Sequence, residues 1–304
     1  MAQSVSVANT GAFSQLISRD YKKIFFDEYS KQPEEYKVIA NITTMDGAYQ
    51  KEGQIVGLGP MQSIGEGQPI PFDNFVQGND KTIYPEDFGL AFAVTENMWD
   101  DDQTGLIKRG FSELGKSAGL TRELRFWDLL NSGFVTTNRV GIDGGALFSS
   151  HNLVGGGAYS NYASSGTALS YTTLQNALNV FENMVNEKGY PRPSKAALLV
   201  CGPSLRFEAE NILKSEYNPD NANSQVNTVG NKGLQFFIPH FLTSSTAWFL
   251  LAPKGDHDLR FINRKQLQLK QWDEPGKRIA VFQAAMRFTC DFSNWYGTYG
   301  NAGA

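Results

Sequence analysis

The sequence predicts an α+β fold in which an α/β lobe is joined to long extended segments, and three features carry that prediction. From about Gln103 to Asn131, apolar residues recur at helical spacing. Two segments read as strands of period two: Phe88, Leu90, Phe92 and Val94, and near the C-terminus Phe282, Ala284, Met286, Phe288, Cys290 and Phe292. Between them in character, residues 47–89 hold eight glycines and four prolines among short β-prone pieces, a composition that cannot bury a core of its own.

Taken in order, residues 1–10 are small and polar and read as a mobile arm. Phe13, Leu16, Ile17, Tyr21, Ile24, Phe25 and Phe26 then follow at steps of three and four, the pattern of an amphipathic helix that ends before Pro33. Val38 to Ile42 is expected to be extended. The Gly/Pro-rich stretch reads as a two-stranded excursion needing neighbours for its stability, with residues 88–94 as its return strand. Asp100, Asp101 and Asp102 precede the long helical candidate, where carboxylates meet free N–H groups and the positive dipole end, and Gly133 suits its stop. Ile107, Phe111, Leu114 and Ala118 make one stripe; Leu120, Leu124, Trp127 and Leu130 make a second, out of phase with the first. The shift falls at Gly115 and Gly119, where a bend or a change of partner is expected.

Residues 141–170 are rich in Gly, Ser and Asn and read as a loop with at most a short strand at 146–148. Thr172 or Thr173 is the expected cap of a helix carrying Leu174, Leu178, Phe181, Met184 and Val185, closed by Gly189 and Pro191. A buried strand at 196–201, a helix from Pro203 to about Ser215, and strands at 234–239, 247–251, 259–262 and 267–269 complete the lobe. Residues 216–233 are polar and Asn-rich and read as mobile. The domain plan is therefore an arm (1–46), an extended loop (47–90), a domain built around the long helix (91–170), an α/β domain (171–265) and a returning segment (266–304).

Composition excludes several classes. At 304 residues the chain favours two lobes or one elongated body over a single core. Cys201 and Cys290 lie in apolar runs and cannot form a disulfide framework, which suits a reducing compartment. No stretch reaches the apolar length of a membrane span, and the start lacks a signal peptide's charged and apolar regions. The net charge is −4 and no Lys/Arg cluster occurs, so the footprint of a dedicated nucleic-acid binder is missing.

Chemistry is equally sparse. His151, His240 and His257 are too few and too scattered for a metal or acid/base set, and the Asp256-His257-Asp258 spacing matches no standard cation site. Gly57-Leu58-Gly59 and Gly65-Glu66-Gly67 lack the third glycine of a dinucleotide fingerprint, and Gly155-Gly156-Gly157 lacks its flanking strand and helix. No Walker-type loop and no Gly-x-Ser-x-Gly elbow occurs. The expectation is a protein with no catalytic residues, no cofactor and no metal, whose product is an interface.

The order of segments resembles the Hong Kong 97-type coat fold of tailed-phage major capsid proteins: arm, Gly/Pro-rich β excursion, long helix after an acidic cap, α/β lobe, returning strand. Residues 57–73, from Gly57-Leu58-Gly59-Pro60 to Pro71-Phe72-Asp73, are similar to the extended-loop segment of many phage head subunits. Lys81-Thr82-Ile83-Tyr84 through Asp102 resembles the strand entering the spine helix of Mu-like major head proteins. Ala146 to His151, with Gly155 to Gly157 and Ser160-Asn161, resembles the loop after that helix.

The resemblance implies a structural subunit, not an enzyme, that assembles in the host cytoplasm into hexamers and pentamers of an icosahedral shell around double-stranded DNA. It names the 91–170 region a peripheral domain with its spine helix and the 171–265 region an axial domain. Implied partners are further copies of the chain, a separate scaffolding protein, a portal and a decoration protein, with packaged DNA held without specific binding and no membrane. Because residue 10 already adjoins the arm, an unprocessed N-terminus is expected. The implied interface residues are Phe13, Tyr21, Phe25, Lys51, Met61, Glu66, Phe72, Phe75, Tyr217 and Asn221. Some relatives cross-link a loop lysine; Lys51 lies in that segment, but no residue pair here identifies the reaction. Deletion of residues 48–88 is expected to leave a folded monomer that cannot build shells. Two other readings stand beside this one: an encapsulin-like compartment shell, and an α/β enzyme with residues 47–90 as a lid over a pocket near His240 or His257.

Overall fold

The computed structural model describes residues 11–102, 104–218, 225–230, 233–274 and 278–304, with side chains from residue 20 onward. Along the chain, α1 (Gly11–Ser30) and a single turn α2 (Tyr36–Ile39) lead to β1 (Asn41–Thr44). The strands β2 (Gln50–Val56) and β3 (Val76–Ile83) follow, then β4 (Glu86–Thr95), the short α3 (Glu96–Asp100) and the long α4 (Leu106–Asn131). After β5 (Ser150–Asn152) and β6 (Ala158–Ser160) come α5 (Tyr171–Glu182), β7 (Leu198–Cys201) and α6 (Arg206–Lys214), the last entered by a 3-10 turn at Pro203–Leu205. The chain ends with β8 (Gln235–Phe237), β9 (Trp248–Leu251), β10 (Arg260–Glu274), β11 (Ile279–Asp291) and β12 (Thr298–Asn301). By internal packing it divides into two compact units.

The first unit holds the segment up to Glu34, Glu86–Leu124 and Asn263–Phe288. Its sheet runs β10-β11-β4, with β4 antiparallel to β11 from Ile279 opposite Thr95 to Phe288 opposite Glu86. The residues expected to share one face of the last strand do so: Phe282 and Ala284 pack with Val94, Ile107, Phe111, Leu114 and Phe25. Asp102 caps α4, its carboxylate accepting the Leu106 N–H at 2.9 Å and the Ile107 N–H at 3.1 Å. The helix therefore starts three residues after the expected Gln103, which lies outside the described residues.

The helix α4 runs unbroken through Gly115 and Gly119. A Cβ at Gly115 would stand 2.5 Å from the Phe25 carbonyl oxygen, and one at Gly119 would stand 2.7 Å from Gln32 Cγ. The two glycines let α1 lie against α4, and the phase shift of the apolar stripe marks a change of partner within one continuous helix. Of the second stripe, Trp127 and Leu130 are buried, whereas Leu120 and Leu124 are exposed and Phe126 and Leu129 take their place.

The second unit holds Glu35–Pro85, Arg125–Ile262 and Thr289–Ala304. Its sheet is β12-β9-β7-β8, in which β7 runs parallel to β8 and antiparallel to β9. α5 and α6 cover it through Leu174, Leu178, Phe181, Ala209 and Ile212 against Leu199, Trp248 and Leu250. Ser170 caps α5, its hydroxyl accepting the Thr173 N–H at 3.2 Å while Thr173 Oγ1 accepts the Ser170 N–H at 2.9 Å. Thr173 thus closes the capping box from inside the first turn and is not the cap. The helix ends at Glu182, leaving Met184 to pack on Trp295 and Tyr296.

Several local expectations change for identifiable reasons. Tyr36–Ile39 forms a helical turn because Tyr36 and Ile39 both face the core, and the extended segment begins only at Asn41, whose N–H donates to the Leu259 carbonyl at 2.9 Å. Residues 146–148 make no strand, but Leu147 and Phe148 are buried, Phe148 stacking on Phe249 at 5.1 Å. The two strands expected at 259–262 and 267–269 are one, β10. The excursion closes at Ile83, not Gly89: β3 is its return strand, antiparallel to β2, and β4 belongs to the first unit.

Candidate interaction surface

The β2–β3 ribbon has two ends of opposite character. At its root the charged side chains are half-buried and partnered. Lys81 Nζ donates to Asp291 Oδ1 and to the Val140 carbonyl, each at 2.7 Å, and also to the Phe292 carbonyl. Three acceptors complete the ammonium group's donor set, although burial pushes its pKa below the usual lysine range despite Asp291. Beside it the Arg260 guanidinium meets both oxygens of Glu52, with Nη2 at 2.7 Å from Oε2 and also 2.7 Å from Ser293 Oγ. Burial works to raise the Glu52 carboxyl, but the hydrogen bonds from Arg260 and Ser293 outweigh it and hold it below the ordinary range. Ile83 packs with Met45 and Ile262. A cleft of about 470 Å³ at this root is lined by Glu52, Lys188, Arg192, His257, Asp258 and Tyr296, among others.

At the far end, residues 57–75 have no regular structure and carry their apolar side chains outward. Met61 and Phe72 are essentially fully exposed, and Leu58, Ile64, Ile70 and Phe75 are exposed as well. An apolar row this long on the surface is unusual for a monomer, which as a rule keeps its exposed apolar patches small. The segment is closed at its base by Asp73, whose carboxylate accepts the Gly59 N–H at 2.6 Å, the Asn74 N–H at 2.9 Å and Lys188 Nζ at 2.6 Å. Those bonds, Gly59's first and Lys188's next, bring the Asp73 pKa down to about 2.

The expected interface residues divide. Met61, Glu66, Phe72 and Phe75 stand exposed on the 57–75 segment, and Tyr217 is exposed beyond α6. Lys51 projects from β2 and pairs with Asp80 across the ribbon at 2.8 Å. Phe25 is a correction: at 0% exposure it belongs to the first unit's own core, because the helix that carries it docks on α4 of the same chain. Tyr21 is half-buried in the same place, stacked on Phe111 at 4.9 Å. The side chain of Phe13 and residue Asn221 lie outside the described residues. Ile55, Ile70 and Phe207 are also strongly exposed and were not singled out; in sequence they are ordinary apolar residues of a strand, a loop and a helix.

The histidines are structural. His151 is buried, its Nδ1 at 2.6 Å from Asp143 Oδ2 and its ring stacked on Trp295 at 4.6 Å. His240 meets Glu35 at 2.5 Å and remains exposed, whereas His257 is buried, its pKa lowered by burial, and further by Lys254, to about 4. Among the described residues no three His, Cys, Asp or Glu side chains are grouped to hold a metal, and no helix is long and apolar enough to cross a membrane.

Comparison of the folded chain with solved structures finds the same fold in shell-forming proteins. The capsid of Myoviridae phage XM1 is similar at 11% identity and a TM-score of 0.55, covering 88% of this chain and 90% of that one. A chain from Microbacterium phage Oxtober96 is similar at 14% identity and 0.54, covering 89% and 92%. A virus-like particle from Pyrococcus furiosus is similar at 10% identity and 0.54, covering 93% and 97%. At such identities these matches show the fold alone, and the fold alone does not separate a phage head from another protein shell. A search of the curated proteins gave no significant match. The family model described as phage capsid protein matches residues 79–301, well over half of the chain. With the Hong Kong 97-like fold around an outward-facing apolar segment, and with that match, the chain belongs to the phage capsid protein family: it is a structural subunit of a phage capsid, a component of the virion.

Proposed function

We propose that this chain is the major head subunit, assembling in the host bacterial cytoplasm into hexamers and pentamers of an icosahedral shell that encloses double-stranded DNA. The observation that supports this most directly is the inverted polarity of the β2–β3 ribbon, with paired, half-buried charges at the root and Met61, Ile70, Phe72 and Phe75 in the open at the far end. A segment built that way gains stability only when a second copy covers it. The first unit offers a surface of matching chemistry, an apolar groove of about 610 Å³ between β4 and the start of α4, lined by Leu90, Phe92, Val94, Met98 and Leu106. Pairing one surface of a copy with a different surface of the next makes a heterologous contact, which closes into rings when the rotation allows. Each contact is modest, and a closed shell multiplies it by avidity. The reading includes Tyr217 and Asn221 near ring centres, a separate scaffolding protein, a portal and a decoration protein as partners.

The test is negative-stain electron microscopy of the full chain, alone and with its neighbouring genes, beside a Met61→Ser, Phe72→Ser, Phe75→Ser variant. Shells or rings from the parent and dispersed subunits from the variant are expected; shells from both would remove the segment from the interface.

A further inference from the structure

Asp73 gathers more hydrogen bonds than an exposed loop carboxylate needs. Its Oδ2 takes the Gly59 N–H and Lys188 Nζ, each at 2.6 Å, and its Oδ1 takes the Asn74 N–H at 2.9 Å. The Gly59 bond joins the two ends of a fifteen-residue loop, 59–73, and the Lys188 bond ties that closed loop to the turn after α5, in the same unit. Lys188 is committed to this contact: its side chain is 18% exposed, and its own N–H is held by Asn186 Oδ1 at 3.0 Å. The approach is close, since a Cβ at Gly59 would lie 3.3 Å from Asp73 Oδ2 and 3.5 Å from the Tyr190 hydroxyl.

We infer that Asp73 is a positioning residue for shell assembly, clasping the 59–73 loop through Gly59 and Lys188 so that Met61, Ile64, Ile70 and Phe72 meet a neighbouring copy in one orientation. The inference rests on the proposed role of this segment as an intersubunit contact. An exposed ion pair adds little to the stability of a folded chain, so the clasp is not explained by stability. It acts on association instead. A free loop must be ordered when it binds, and a loop already closed and aimed avoids most of that loss. Because the clasp sits at the loop's base, it fixes direction while leaving the apolar side chains free for the neighbour.

The experiment compares full-length parent, Asp73→Asn, Lys188→Gln, Lys188→Arg and the triple Met61→Ser, Phe72→Ser, Phe75→Ser variant. The protein concentration at which shells form is measured by light scattering and their form by electron microscopy. Hydrogen exchange of the Gly59 amide is measured in the unassembled parent and in Asp73→Asn. The inference expects a protected Gly59 amide that becomes fast in Asp73→Asn while the second unit's melting temperature is unchanged. It also expects a threshold raised about tenfold, or misshapen shells, in Asp73→Asn and Lys188→Gln, with Lys188→Arg near the parent. A Gly59 amide as fast as its neighbours in the parent overturns the clasp whatever the variants do. Parent-like assembly of Asp73→Asn and Lys188→Gln while the triple variant fails also overturns it and leaves the interface reading intact. Parent-like assembly of the triple variant overturns both.

Discussion

The two ends of the β2–β3 ribbon invert the ordinary rule of folding. Glu52, Lys81 and Arg260, residues that a chain normally leaves in water, are half-buried at the root, whereas Met61, Phe72 and Phe75, which a chain normally buries, are in water at the far end. The difference separates two tasks within one excursion. Charge drawn partly out of water and paired with specific partners favours one orientation, and exposed apolar surface gives affinity for whatever covers it. On the proposed reading, the root serves this subunit and the far end its neighbour.

Breaking the root should have the largest effect. Lys81→Ala leaves the Asp291 carboxylate buried without its cation, and removal of one partner of a buried pair costs about 3–5 kcal/mol. Urea unfolding should show a loss of that size, and a loss below about 1 kcal/mol would mean that water reaches Asp291 in the folded protein. The same reasoning corrects the expectation that residues 48–88 can be removed from a folded monomer. That deletion takes out Glu52, Lys81 and Ile83 and should unfold the second unit, whereas deletion of residues 60–72 should leave it intact.

His257 sharpens the comparison by pH. The folded protein keeps it neutral down to about pH 4, while the unfolded chain binds a proton from about pH 6.5. Its contribution is therefore complete above pH 6.5 and is lost as the pH falls toward 4, on the order of 3 kcal/mol in all. Lys254 and Asp256 are the charged groups acting on it, with opposite effects. In His257→Gln the pH dependence of the unfolding free energy between 6.5 and 4 should shrink by about that amount; an unchanged slope would place the acid sensitivity elsewhere.

Much of the fold was legible because periodicity reports burial. The face shared by Phe282, Ala284, Met286 and Phe288, the acidic cap of α4 and the α/β lobe were all readable from spacing. What was not legible depends on contacts distant in sequence. Nothing local shows that Phe25 is covered by its own subunit or that Lys81 reaches Asp291, two hundred residues away. The exposed segment was readable as a composition that cannot bury itself, but its clasp was not, because Asp73 and Lys188 are unremarkable apart from each other. Gly115 shows the limit well: in sequence it looks like a helix breaker, and in the structure the α1 backbone at Phe25 lies where its Cβ would be. Gly115→Val should push α1 off α4 and cost about 1–3 kcal/mol, read as a fall in the urea midpoint. Parent-like stability would show that the helices can separate freely.

The smallest effect on the subunit should come from Phe72→Ser. A side chain 96% exposed loses no burial when it is replaced, so the unfolding free energy of unassembled subunits should stay within about 0.5 kcal/mol of the parent. Assembly is different, because the same ring covered by a neighbour would contribute about 2 kcal/mol per contact, close to a thirtyfold change in each contact's equilibrium constant. The two measurements must therefore separate: unchanged urea midpoints alongside a sharply raised assembly concentration. A stability loss equal to the assembly loss would mean that Phe72 packs on its own chain in solution. In that case the ribbon would have one task and not two.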